Sequence, residues 1–154
     1  MELSVPTALK ALSASGAALA AMSAWRRKLR GDKRALVLEL EDNLRYLDLV
    51  AEDDVPLGEV IGHLSAEQYL RLARSGFNFN ALKRGRIRLP SLAGSDLAAW
   101  QGKTTAELVE GIFDRLRDLQ ARYPHVGDRG RYRWSVRVNN IRKRTWLLLR
   151  HVGP

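Results

Sequence analysis

Five residues near the end of the chain have the types and spacing to act together on an anion: Arg133, Arg137, Asn140, Arg144 and His151. If the segment is helical, their spacing puts them near one stripe. A guanidinium presents a fork of N–H donors that matches a phosphate or carboxylate, and a basic helical stripe can track a phosphate backbone. Tyr132 and Trp146 lie close enough in sequence to add stacking. The competing reading is a solvated polar face. Other chemistry is scarce. The three histidines, His63, His125 and His151, are far apart, so no local metal-binding pair exists, and cysteine is absent, which removes disulfides, thiolate nucleophiles and zinc–thiolate sites. The glycines form no phosphate loop or dinucleotide fingerprint, and there is no nucleophile elbow. Asp114 and Asp118 stand one helical turn apart, but Arg115, Arg117 and Arg122 are at hand to pair with them. The expectation is a protein with no metal and no cofactor.

Arg144 and His151 also satisfy an Arg-x6-His spacing. That pair resembles the signature of HEPN ribonucleases, with Thr145 where the family has a polar residue after the arginine. The resemblance implies a small all-helical domain acting as a dimer. It also implies an arginine and a histidine on the last long helix that meet across the dimer and cleave RNA without metal. His151 would serve as acid and base, and Arg144 would stabilise the charged phosphate.

The charge around these residues is segregated. Lys and Arg number 26 against 17 Asp and Glu, a net charge of +9, and 20 of the 26 are arginine. Arg26, Arg27, Lys28, Arg30, Lys33 and Arg34 face a single Asp32. An acidic block follows, with Glu39, Glu41, Asp42, Asp48, Glu52, Asp53, Asp54 and Glu59 against Arg45 alone. Arg71 to Arg88 and Arg129 to Arg150 are basic and contain no acid. Such excess favours nucleic acid or another anionic surface, but blocks of opposite sign can also neutralise one another within the fold or between subunits.

The elements that must position these residues read as helices. Thr7–Trp25 is mostly Ala, Leu and Ser with Lys10 the one charge, and Gly31-Asp32 divides the run into helices over 6–29 and 33–52. Gly16, Ala20 and Ala24 are four apart, as are Ser13, Ala17 and Ala21, which lets helix backbones approach closely. Val37, Leu40, Leu44, Leu47 and Ala51 repeat with 3-4 spacing. Both sets suit tight packing in a bundle or a self-association seam. Alternatively residues 4–25 form a membrane anchor, with Trp25 and the following Arg26-Arg27-Lys28 at the cytoplasmic interface, or a signal peptide, although most of the positive charge follows the apolar stretch.

Further on, Pro56–Leu64 reads as a short helix or loop. Ser65 and Gln68 form a capping box for a helix ending near Gly76. Phe77 and Phe79 tie a loop to the core. Arg86–Leu89 alternates as a short extended piece. Ser95 or Asp96 caps a short helix through Trp100. Thr104 and Glu107 form a second capping box, opening a helix over 105–123 whose inner face is Leu108, Val109, Ile112, Phe113, Leu116, Leu119 and Tyr123. Pro124 ends it. The alternation over 132–138 fits a strand, but no partner strand is available, so 132–152 is read as a helix with Trp134, Val138, Ile141, Thr145, Leu148 and Val152 inward. Glu39, Glu41 and Asp42 are read as a solvated or interfacial acidic face.

The expected fold is therefore all-α, about five or six helices, with a long Ala-rich N-terminal helix over 1–30 and a bundle over 31–154. The expected function is a non-enzymatic, cytoplasmic, self-associating helical protein. It binds nucleic acid or an acidic protein surface through Arg133, Arg137, Asn140 and Arg144. The HEPN-like ribonuclease and the membrane-tethered protein are the alternatives.

Overall fold

The computed structural model describes the backbone of residues 5–153 and the side chains of residues 16–153. It is all-α: α1 (Val5–Glu52), α2 (Leu57–Val60), α3 (Glu67–Arg74), α4 (Thr105–Val126) and α5 (Trp134–Val152), joined by 3-10 turns. No strand occurs among the described residues. The chain divides into two compact units, Met1–Arg34 and Ala35–Pro154.

In the first unit, α1 passes through Gly31-Asp32 without a break, where the sequence suggested two helices. One glycine inside a helix costs about 1 kcal/mol, and Leu29, Arg30, Lys33, Arg34 and Ala35 around it are all good helix formers. Residues 16–28 are exposed on every side. Among the described residues, no helix is long and apolar enough to cross a membrane. The proposed anchor over 4–25 falls partly outside the described residues.

The second unit carries the core. α4 and α5 pack against each other. Leu108, Val109, Ile112, Phe113, Leu116 and Leu119 are buried on α4 as their spacing required, and Val138, Ile141, Thr145, Leu148 and Val152 on α5. Leu36, Leu40 and Leu47 of α1 join them, with Leu57, Val60, Leu72, Phe79 and Ile87 from the segments between. Tyr69 stacks between Phe113 at 4.4 Å and Phe79 at 5.4 Å, and Phe77 meets Phe79 edge-on at 5.4 Å, so both phenylalanines hold their loop to the core.

Helix ends show where local sequence governs and where it does not. The Thr104–Glu107 capping box forms in both directions. The one read at Ser65–Gln68 does not: Ala66 is the boundary residue of α3, with no side-chain cap of its own. Glu39 of α1 takes that role. Its carboxylate accepts the backbone N–H of Gln68 at 2.8 Å and of Tyr69 at 3.0 Å, and the Ser65 hydroxyl at 2.8 Å. One turn along α1, Asn43 brackets Ser65, donating to its carbonyl at 2.6 Å and accepting its N–H at 2.8 Å. Glu39 is thus a buried cap, not part of a solvated acidic face. Pro124 does not end α4, which continues to Val126. In the last turn a proline forfeits a single i−4 bond, and Gly127, at φ +55°, closes the helix by donating to the Tyr123 carbonyl at 2.8 Å.

The segment Arg86–Leu89 is extended but forms no strand. Ile87 exchanges backbone bonds with Lys103 and Gly102, both 2.9 Å, and the Gln101 side-chain amide imitates the next rung by pairing with both backbone groups of Leu89. This pairing fixes a cationic loop beside the start of α4.

Candidate anion-binding site

The residues of the α5 stripe have separate surroundings. Arg133 is exposed at the N-terminal boundary of α5. Arg137 is occupied: its Nη1 lies 3.2 Å from Asp118 of α4, and its guanidinium sits over the Tyr132 and Trp134 rings at 5.7 and 5.8 Å. Asp118 also holds Arg122 at 2.6 Å. Asn140 lines a cavity of about 260 Å³ between α4 and α5, along with Arg115, Asp118 and Arg137. His151 does not reach this groove. It is only 8% exposed, with Nε2 2.9 Å from Thr105 Oγ1, so the last turn of α5 is held in place.

Arg144 differs from the rest. Its guanidinium lies over the Trp100 ring at 5.7 Å. Its Nη1 is buried and has no hydrogen-bond partner, the one such side-chain nitrogen or oxygen among the described residues. Burial, and then the cation of Arg115, push its pKa below the usual arginine value, with Asp96 opposing. Arg115 donates to the Gly111 carbonyl at 3.3 Å and makes no ion pair among the described residues. Gly111 lies against Trp100 at this corner, where a Cβ would be 3.4 Å from the ring, in ordinary contact. The nearby carboxylate, Asp96, is taken by Lys143. Arg144 therefore stands against an aromatic wall with a second cation, Arg115, near enough to repel it.

More cations continue the surface. Lys103 lies over the same Trp100 ring at 5.0 Å. Through the Ile87 pairing, the exposed Lys83, Arg84, Arg86 and Arg88 are attached beside Gly102 and Lys103, with Arg86 donating to the Gly102 carbonyl at 2.7 Å. Lys103 and Arg86 help hold the Glu107 carboxyl below its ordinary range, after its bonds to Thr104. The sequence marked Arg144 but missed Trp100, Arg115 and Lys103, which come from other elements and share no spacing with it.

On the far side of α5 the basic and acidic blocks meet at one arginine. Arg142 reaches back to α1, with Nε 2.7 Å from Asp48 and Nη2 2.7 Å from Glu52. The residues suggested for self-association divide. Leu40 and Leu47 are buried in the chain's own core, while Val37 and Leu44 are half-buried. Gly16, Ala20 and Ala24 are exposed, and a Cβ on Gly16 would meet nothing within 4 Å.

Among the described residues no three His, Asp or Glu side chains gather as a metal site. No known protein family, curated protein or solved structure matches the chain.

Proposed function

We propose that this is a helical binding protein whose Arg115–Arg144 corner receives a phosphate of a nucleic acid, with Lys103 and the adjoining Lys83–Arg88 loop following the backbone. The observation that carries this reading is the buried, unpartnered Nη1 of Arg144 beside a second cation. A buried donor without an acceptor costs about 1–3 kcal/mol, and like charges add to it. An incoming anion relieves both. The cations spread over three elements, which suits a repeating polyanion better than a single carboxylate. An acidic protein surface is the other anionic partner this charge would accept.

Fluorescence anisotropy with a labelled RNA oligonucleotide tests the reading. Binding should weaken as salt rises. Arg144→Glu with Arg115→Glu should lower affinity at least tenfold, and Arg133→Glu, away from the corner, less than twofold. Equal affinities for the double variant and the unaltered protein would refute it. Intact RNA after incubation is expected. Cleavage that disappears in His151→Ala would instead support the ribonuclease reading.

A further inference from the structure

We infer that residues 16–30 form a second, independent binding surface: a helix that lies on bilayers rich in anionic lipid. Within α1, Leu19, Met22 and Trp25 are 65%, 50% and 63% exposed. Helical geometry sets them, with the half-buried Leu29, along one side at steps of three, three and four. The other side is small: Gly16, Ala17, Ala20, Ala21 and Ala24. Arg26 stands in line with the stripe one turn beyond Met22 and ends it with a cation on an aliphatic stem, and Lys28 and Arg30 border it on opposite edges. From Leu3 to Gly31 the sequence holds no acid.

This combination selects its occupant. A nucleic acid offers phosphates but nothing to cover a stripe of Leu, Met and Trp. A second copy of the same stretch would cover the stripe but offers a single acid, Asp32, to its cations. An anionic bilayer supplies both: headgroup charge for the arginines and lysine, and an apolar layer for the stripe, with the long basic side chains reaching back to the headgroups. Tryptophan is favoured at that boundary. Among the described residues no helix is long and apolar enough to cross a membrane.

The test uses the full chain and sedimentation with vesicles of phosphatidylcholine, with and without phosphatidylglycerol. Binding is expected to the anionic vesicles and not to phosphatidylcholine alone. Leu19→Ser, Met22→Ser and Trp25→Ser combined, which leave charge unchanged, should weaken it at least tenfold. Arg26→Gln, Arg27→Gln, Lys28→Gln and Arg30→Gln combined should do the same. None of these residues lies in the core, so circular dichroism should show both variants folded. The Arg115/Arg144 charge-reversal variant should bind vesicles like the unaltered protein, which separates this surface from the nucleic-acid site. Absence of binding, equal binding to phosphatidylcholine, or binding indifferent to the three serines would overturn the inference. So would a stable dimer by light scattering that the serine variant abolishes while vesicles are ignored; that result would assign the stripe to a second copy.

Discussion

The imidazole of His151 is packed against Thr105, whose hydroxyl in turn donates to the Lys83 carbonyl at 3.2 Å. A hydroxyl has one hydrogen: when it goes to the Lys83 carbonyl, Nε2 of His151 is the N–H donor, and a proton gained in acid goes to Nδ1. Burial, and then Lys83, push its pKa below the ordinary histidine value of 6.5. The sign follows. The unfolded chain takes up this proton first, so the contribution of His151 is fully present above about pH 6.5. It is lost as pH falls from there towards the lowered folded-state pKa. Thermal melts between pH 7.5 and 5 should show Tm falling on acidification, and His151→Gln should lessen that fall. An identical pH profile in the variant would mean that His151 carries no such linkage. The same burial explains why this residue, legible as one member of an arginine–histidine spacing, has a structural setting that spacing alone could not show. The partner that buries it, Thr105, lies 46 residues away.

At the scale of elements, α3 has only eight residues, too few to be stable alone. Its start is held by a carboxylate from α1, 29 and 30 residues earlier in the chain. Hydrogen bonds to a charged acceptor contribute about 1.5–3 kcal/mol each and are not additive here. Glu39→Ala should therefore cost about 3 kcal/mol in urea unfolding, while Glu41→Ala, one face away, should change little. A loss below about 1 kcal/mol would show that solvent caps α3 equally well. This contrast bears on what a sequence discloses. The inner face of α4 and its Thr104–Glu107 cap are contained in a few adjacent residues, and both were readable. Ser65 and Gln68 had the same spacing, yet a longer-range acceptor outcompeted the local box. The proposed anion-binding corner failed to be readable for the same reason: Trp100, Arg115 and Arg144 come from three segments, and only packing brings them together.

For the whole molecule, the division of labour follows from where the burial lies. Every buried hydrophobic residue among those described falls between Leu36 and Val152, within the second unit. The proposed nucleic-acid site uses residues 83–144, and the proposed bilayer surface uses 16–30. Two members of the acidic block, Asp48 and Glu52, find their partner inside the second unit, in Arg142. A chain beginning at Gly31 keeps the whole core and places Asp32 near the new helix start, where it can cap it. It should unfold cooperatively within a few degrees of the full chain and retain oligonucleotide binding within about threefold, while losing vesicle binding. Calorimetry and anisotropy on the shortened chain decide the matter. If it melts far below the full chain, residues before Gly31 contribute to the fold itself. If it folds but no longer binds RNA, the basic segment at 26–30 is part of the nucleic-acid site, and the Arg144 corner is not sufficient for it.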